Sequence, residues 1–221
     1  MRRAGRNPLP FDILHEDANF IVIDKPAGLL ATHTRLHGRA AREEQPTAEN
    51  FLNLYVRKGQ RKSSRRVWLV HRLDRDTSGV MMFAKSREAA EAMRERWNEI
   101  TEKTYIARVE GTMREEAGSF HSWLLEDPDG YRVRSVDART PGAKEARTDW
   151  RRLSSDGRTT EVEIKLRSGR KNQIRVHFAE AGHPVAGDVK YGARKAARLY
   201  LHSQRLRYID PFTGEEMDFS S

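Results

Sequence analysis

Residues 67–84, VWLVHRLDRDTSGVMMFA, place a polar loop between two apolar runs. The runs at 67–70 and 80–84 consist largely of β-branched and other large apolar side chains, which is typical of buried strands. The nine residues between them carry charges and turn-forming side chains, so they are predicted to be a loop that both strands hold. Functional residues are often carried on loops that a rigid scaffold supports. We therefore expect functional side chains within residues 71–79.

Strand-like runs dominate the rest of the chain. They lie between Gly, Pro and Asp turns, at residues 11–14, 20–23, 105–109, 120–125, 131–136, 146–153, 160–166 and 200–208. Runs of strands with few helices predict an α+β fold with a mainly antiparallel sheet. With no internal repeat and no low-complexity linker, residues 11–221 are predicted to form one domain, large enough for an active site, behind a flexible N-terminus at 1–10.

Helical spacing of apolar residues predicts three helices, near 47–59, 86–100 and 172–181. The apolar face of the first is assigned to Phe51, Leu54 and Tyr55. The apolar positions of the second are interpreted as core, namely Ala89, Met93, Trp97 and Ile100. The third ends at Gly182, a residue that readily terminates a helix.

The chain carries a formal net charge of +9 and has a pI near 10.0. Each Lys or Arg placed against a phosphate releases condensed counterions, so this charge favours a polyanionic partner, with nucleic acid first. An anionic membrane surface is the rival, but no segment is both basic and strongly apolar. We therefore predict no membrane partner.

Residue types and spacings exclude several kinds of chemistry. The chain has no Cys, which excludes disulfides, thiolate nucleophiles and sulfur-ligated zinc. The eight His show no metal-ligand spacing, and no Gly-rich phosphate loop occurs, so neither a metal nor a cofactor is predicted. The N-terminal MRRAGRNPLP has a basic start without an apolar stretch behind it, which predicts a cytoplasmic protein.

Asp74 is the first candidate for chemistry in the loop. It is flanked by Arg72 and Arg75, and a carboxylate close to guanidinium groups stays ionised and can attack a sugar or base carbon. Asp76 competes on the same terms. A loop Asp is more often a turn or cap residue than a nucleophile, so the residues alone leave the choice open.

Two other segments could contribute to a site. Residues 168–177, SGRKNQIRVH, place a tight turn at a helix start, with Arg175 close behind. Such a helix start can bind a phosphate or a carboxylate, although a capped surface helix with solvated charges explains the pattern equally well. Tyr105 is by default a half-buried strand residue, and beside a catalytic carboxylate its ring could instead stack on a base.

Three motifs in order give the chain a family resemblance: HRLDRDTSG at 71–79, EKTYIARVEG at 102–111 and SGRKNQIRVHFAEAGHPVAGDVKYG at 168–192. They resemble the RluA-type pseudouridine synthases that modify ribosomal and transfer RNA, and the likeness runs from residue 13 to residue 217. The resemblance implies a mixed, mainly antiparallel α+β sheet with flanking helices and a central catalytic cleft. It also implies a monomer that isomerises uridine in rRNA or tRNA without a metal or cofactor.

The same resemblance implies roles for individual residues. Asp74 is the essential carboxylate, which attacks the ribose C1′ or the base C6 or promotes formation of a glycal. Arg175 pairs with Asp74. Tyr105 packs on the base and assists removal of the C5 proton. Arg72 enters the RNA stack where the uridine has flipped out, since a planar guanidinium can recover part of the lost stacking. The motif around Arg175 supplies the predicted RNA- and base-contacting residues, which are Arg170, Asn172, Gln173 and Ile174.

Two departures from the family pattern TGR-x-HQIRVH occur, at Ser168 and Asn172, and the latter is expected to alter a contact to RNA or to Ser168. About ten residues precede the first strand, which leaves no room for the S4-like RNA-binding module of many relatives. The catalytic domain itself is therefore expected to grip RNA through the basic segments at 61–66 and 190–198.

Two other functions compete with this interpretation. A non-catalytic RNA-binding protein would keep the fold and the charge, but the intact set of Asp74, Tyr105 and Arg175 argues against it. A carboxylate hydrolase acting on nucleosides or glycosides would need a second acid across the scissile bond, and the sequence shows no such pair.

Overall fold

A computed structural model describes residues 9–33, 45–60, 62–128 and 131–221. Residues 33–45 are polar and basic without a period, which predicts a loop. This segment and the expected flexible N-terminus at 1–10 lie almost wholly outside these ranges. One residue of the basic segment at 61–66 also lies outside them. None of the described helices is long and apolar enough to span a bilayer.

The described strands form one sheet of eleven. They are β1 Asp12–Glu16, β2 Phe20–Lys25, β3 Trp68–Leu69, β4 Ser78–Ala84, β5 Thr101–Glu110, β6 Ala117–Glu126, β7 Val133–Val136, β8 Lys144–Ser155, β9 Thr159–Leu166, β10 Leu201–Ile209 and β11 Glu216–Ser220. Their order is β1-β2-β4-β10-β5-β9-β8-β6-β7, with β3 beside β4 and β11 beside β10. β4 and β10 run parallel and the other pairs are antiparallel, so the predicted mixed, mainly antiparallel α+β sheet is confirmed.

The helices of the described ranges are few and short. They are α1 Ala48–Val56, α2 Arg87–Glu95, α3 Trp97–Ile100 and α4 Gln173–Glu180, with a 3-10 turn at Val189–Tyr191. The predicted helix at 86–100 is interrupted at Arg96, whose φ of −107° and ψ of 7° leave the helical region. α3 is then a single turn, and Trp97 is only partly buried.

The apolar face predicted for the first helix was wrong in part. Ala48, Leu52 and Val56 are the buried positions of α1, whereas Leu54 is 67% exposed. Spacing of four residues places the three buried side chains in one row, and Leu54 lies off that row. β11 was not predicted, because its sequence EMDFS has no apolar run. It pairs with β10 in a register that places Asp218 opposite Arg207, and Asp218 also forms an ion pair with Arg205, two residues away on the same strand.

β4 is an inner strand of the sheet, between β2 and β10, and it is buried along its whole length. Its side chains alternate between two cores: Met81 and Phe83 join the larger one, and Val80 and Met82 join the other. A strand that is covered on both faces of the sheet has a continuous run of apolar residues in its sequence. The run at 80–84 therefore correctly predicted a buried strand directly after the loop at 71–79.

Gly79 allows β4 and β10 to approach each other. The two strands pair through Ser78 with His202 and Gly79 with Ser203. Gly79 has a φ of +110°, and a Cβ on it would lie 2.2 Å from the carbonyl oxygen of Ser203. No side chain fits that space, so glycine is required for the parallel pairing that follows the loop.

Replacing Gly79 with Ala is expected to lower the free energy of unfolding by roughly 3 kcal/mol or more, because a Cβ meets both the positive φ and the Ser203 carbonyl. Gly59→Ala is the matched control: its φ is +78°, but no atom lies within 4 Å of the added Cβ. We expect a loss of about 1 kcal/mol there. Urea denaturation of both variants measures the difference, and equal losses would contradict the required close approach.

Candidate active site

A cleft of about 520 Å³ opens between the loop at 71–77, the α2–α3 junction, β5 and the turn at 169–172 that leads into α4. Basic side chains outnumber acidic ones on its described walls, with six Lys or Arg against Asp74 and Glu126. A concave surface with this balance concentrates anions. The predicted central cleft is therefore present, and it has the charge that a polyanion requires.

Lys25, the last residue of β2, fixes the loop. Its side chain is fully buried, and its Nζ donates to the carbonyl oxygens of Pro26 at 2.9 Å, Leu29 at 2.8 Å and Arg75 at 3.0 Å. Burial lowers the pKa of Lys25 to about 8. The N–H of Gly28 donates to the same Arg75 carbonyl at 2.9 Å. The sequence KPAG at 25–28 is typical of a turn, because Pro fixes φ and Gly permits a positive φ. This segment holds the backbone of the loop at Arg75, directly after Asp74.

The structure separates the two competing aspartates. Asp74 lines the cleft, with its side chain 25% exposed, and its Oδ2 accepts a hydrogen bond from Nη1 of Arg175 at 3.3 Å. Asp76 is 44% exposed and pairs with its neighbour Arg75, whose Nε lies 3.1 Å from Oδ1. Asp76 is not among the residues of the cleft wall. The geometry therefore favours Asp74 as the reacting carboxylate.

Arg175 lies between two carboxylates. Its Nε and Nη2 donate to Oδ2 and Oδ1 of Asp188 at 2.6 and 2.7 Å, and its Nη1 also donates to Oδ1 of Asn172 at 3.2 Å. Burial opposes the charge of Arg175, but the hydrogen bonds and charges of Asp188 and Asp74 raise its pKa well above the ordinary value. The bidentate pair with Asp188 is the closer one, so Asp188 sets the direction in which Arg175 reaches Asp74.

Sequence reasoning missed Asp188. It lies inside the quoted motif, at GDVKYG, but no period or charge pattern sets it apart from a surface turn. In the structure its side chain is only 1% exposed. Gly187 before it has a φ of +82°, and a Cβ there would lie 2.0 Å from the Arg198 carbonyl oxygen. A glycine next to a polar residue before a short turn was the available signal.

Tyr105 lies on β5 opposite Ser203 of β10 and lines the cleft. Burial raises the pKa of its phenol to about 12, a hydrogen bond with Ser203 opposes this rise, and the charge of Asp74 adds to it. The phenol is therefore neutral at physiological pH. Tyr105 is 6% exposed and belongs to the larger core, so only a small part of its side chain borders the cleft.

Comparison with known proteins assigns the family. The model of the RNA pseudouridylate synthase family matches residues 19–180. The chain belongs to this family. It is 35% identical over 215 residues to an uncharacterized RNA pseudouridine synthase, YjbO, of Bacillus subtilis, covering 96% of this chain and 72% of that protein. It is 32% identical to tRNA pseudouridine synthase C of Vibrio parahaemolyticus, covering 95% of this chain and 89% of that protein.

A solved structure supports the same assignment. Human RNA pseudouridylate synthase domain containing 4 matches with a TM-score of 0.74 and 25% identity, over 95% of this chain and 87% of that one. Several other curated relatives are longer, and the chain spans 63% to 66% of their length. Some of these are named ribosomal large subunit pseudouridine synthase C.

The remaining predicted contact residues of this pseudouridine synthase differ in how free their side chains are. Arg72 and Arg170 are exposed on the cleft wall, and Nε of Arg170 donates to the Glu145 carbonyl at 2.9 Å. Ile174 is buried in the core and only borders the cleft. The exposed guanidinium groups of Arg72 and Arg170 are free to contact RNA. Ile174 can contribute only an apolar edge to the cleft.

Asn172 and Gln173 use their amides within the protein. Nδ2 of Asn172 donates to the Tyr191 hydroxyl at 2.9 Å, so the expected contact with Ser168 is replaced by contacts with Tyr191 and Arg175. Gln173 accepts from the Ser168 hydroxyl at 2.8 Å and donates to Thr148 at 2.9 Å. These bonds shape the turn before α4. A direct RNA contact by either amide stays a prediction.

Within the described ranges, no group of three or more His, Asp or Glu side chains is arranged to hold a metal ion.

Double-mutant cycles on Arg175 are expected to give unequal coupling energies. Combining Arg175→Gln with Asp188→Asn is expected to show a coupling of roughly 2 kcal/mol or more, because the pair is bidentate and buried. Combining Arg175→Gln with Asp74→Asn is expected to show less than about 1 kcal/mol, because that contact is single, longer and a quarter exposed. Urea denaturation of each variant measures both cycles. The reverse order would refute Asp188 as the residue that directs Arg175.

Proposed function

We propose that this chain isomerises uridine in structured rRNA or tRNA to pseudouridine, with Asp74 as the essential carboxylate. The observation that carries the proposal is the Asp74 carboxylate on the wall of a basic cleft, held there by Arg175 and close to Tyr105. The names of the relatives include enzymes acting on transfer RNA and on the large ribosomal subunit, which supports RNA as the substrate class.

The reaction is an internal rearrangement. The bond between N1 and C1′ breaks, the uracil turns within the cleft, and a bond forms between C5 and C1′. The proton on C5 leaves and N1 takes up a proton, so the product is an isomer of the substrate. An ionised Asp74 can serve as the nucleophile at C1′ or C6, or as the base that gives a glycal. Arg175 donates a hydrogen bond to that carboxylate and so holds its orientation in the cleft.

Tyr105 is proposed to hold the uracil ring. Its neutral phenol can pack against a base that has left the RNA stack, because aromatic side chains are the usual partners of flipped bases. A phenol whose pKa is raised to about 12 supplies little phenolate at neutral pH, so it is a poor base for the C5 proton. Its part in that proton transfer is therefore that of a hydrogen-bonding group beside the reacting atoms.

Arg72 is proposed to fill the gap that the flipped uridine leaves. It lies two residues before Asp74, is exposed, and borders the cleft. From this place a planar guanidinium can stack between the neighbouring bases while the uridine occupies the cleft. Arg170 is proposed to contact the RNA backbone at the opposite wall, next to the turn into α4.

The wider setting is also a proposal. We expect residues 11–221 to act as one catalytic domain, as a monomer in the cytoplasm, gripping RNA with its own basic segments. Because the isomerisation needs no external electron or group donor, we expect it to proceed without a metal or cofactor.

Asp74→Ala is expected to abolish release of tritium from RNA labelled at uridine C5, with a loss of roughly a thousandfold or more, because the reaction starts at this carboxylate. Asp76→Ala is the matched control in the same loop and should retain release, because its side chain lies outside the cleft wall. Binding of the labelled RNA should survive in both variants. Filter binding and tritium counting measure the two properties separately.

The opposite result for the two aspartates would overturn the assignment of Asp74. If the wild type binds RNA but releases no tritium from total bacterial RNA, the chain is a non-catalytic RNA-binding protein that keeps the fold.

Arg72→Ala is expected to slow turnover by roughly tenfold on a stem-loop substrate, because the stacking that it restores offsets part of the cost of extruding the base. On a short single-stranded RNA, whose uridine is already unstacked, the loss should be smaller. Single-turnover rates of pseudouridine formation on the two substrates measure this difference. Equal losses on both would remove the flipping role.

A further inference from the structure

Lys103 is a second buried lysine, and it belongs to the cleft. It lies on β5 two residues before Tyr105, so the two side chains share one face of the strand. Both line the cleft, and Lys103 is 6% exposed. Its Nζ lies 5.5 Å from the centre of the Trp97 ring, which is stacked on His71.

Lys103 differs from Lys25 in its surroundings. Lys25 donates to three carbonyl oxygens, whereas among the described residues no hydrogen-bond acceptor or carboxylate is paired with Lys103. His71 offers none, because its Nε2 accepts the backbone N–H of Met82 at 3.0 Å. Burial lowers the pKa of Lys103 to about 8, so much of it is charged at neutral pH.

The side chain of Lys103 is largely buried, but its Nζ is not among the fully buried side-chain atoms that lack a partner, so the ammonium group is open to the cleft. Burial of its stem disfavours the charge, and a ligand that enters the cleft can supply the acceptor that the protein does not. The cleft wall is mainly basic, which selects an anion. In an RNA substrate the anionic groups are the phosphodiesters, whereas the uracil carbonyls are neutral and repay less of the cost of burying a charge.

We infer that the ammonium group of Lys103 binds a backbone phosphate next to the uridine in the cleft, at the wall formed by Trp97 and His71. This inference rests on the proposed function, since it takes RNA as the occupant. Lys103 would then position the nucleotide whose ring Tyr105 holds, with the two contacts coming from one face of one strand. The Trp97 ring keeps the ammonium group at the wall through a cation–π contact.

The test is binding of two fluorescein-labelled oligouridylates, one with natural phosphodiesters and one with neutral methylphosphonate linkages. Lys103→Met should weaken binding of the natural oligonucleotide roughly tenfold, because one charge-assisted contact is lost. The slope of log affinity against log salt should fall by about 0.7. On the neutral oligonucleotide, Lys103→Met and wild type should bind alike. Lys103→Arg, which keeps the charge, should recover most of the lost affinity.

Two controls separate this role from a structural one. Lys85→Met removes a lysine that pairs with Glu16 and lies outside the cleft wall, and it should change neither the affinity nor the salt slope by a comparable amount. Without RNA, Lys103→Met should unfold at the same temperature as wild type or higher, because it removes an unpaired buried charge. A structural lysine would give a lower Tm.

An unchanged salt slope, or equal losses of affinity on both oligonucleotides, would overturn the phosphate contact and point to a uracil carbonyl instead. A lower Tm with no specific loss of affinity would also overturn it. The assay needs no turnover, so it is independent of the tritium experiment: an inactive wild type that still shows the Lys103 effect would remove the proposed reaction and leave the phosphate contact standing.

Discussion

The close parallel approach of β4 and β10 at Gly79 and Ser203 is the constraint on which the site depends. Because Gly79 carries no side chain, the start of β4 lies directly against β10. β10 also pairs with β5, and this places Tyr105 opposite the same Ser203. The loop that leads into β4 therefore lies close to β5, the strand that carries Tyr105. Asp74 and Tyr105, 31 positions apart in sequence, meet in one cleft through this single crossing.

Among the described residues, the buried cations around the cleft are of two kinds. Some have hydrogen-bond acceptors within the protein, and Lys103 has none. Lys25 is bound by three carbonyls, and Arg175 is bound by Asp188 and Asp74. These groups hold the loop and its carboxylate in place before any substrate arrives, which is what a preorganised site requires. Among the described residues Lys103 is a buried cation of the cleft with no such acceptor. The same cleft therefore contains charged groups that the protein holds in place and one that lacks a partner. This combination is expected of a binding site in which the ligand supplies the missing partner.

The positive charges of the protein are paired with carboxylates to different degrees in different parts of the surface. Many arginines outside the cleft wall are paired across the sheet, as Arg205 is with Asp218 and Arg151 is with Glu163. Exposed pairs of this kind contribute little to stability, but they neutralise that part of the surface. The cleft wall keeps an excess of basic groups. The overall charge of +9 is thus a weaker guide to the partner than the place where the charge is left unpaired.

The sequence by itself determined the fold class, the buried strand after the loop at 71–79, the anionic character of the partner and, through its motifs, the family. Local patterns suffice for these, because apolar runs, turn residues and motif order are properties of neighbouring positions. They were insufficient for α1, where Leu54 was placed on the wrong face, and for β11, whose apolar residues Met217 and Phe219 alternate with polar ones in a strand of only five residues. Only the tertiary structure placed Asp74, and not Asp76, on the cleft wall. It also revealed Asp188 as the closer partner of Arg175 and showed the largely buried side chain of Lys103 without an acceptor among the described residues. Each of these depends on which side chains from distant strands share one space, and that is set by the pairing of β4, β10 and β5 rather than by any local sequence.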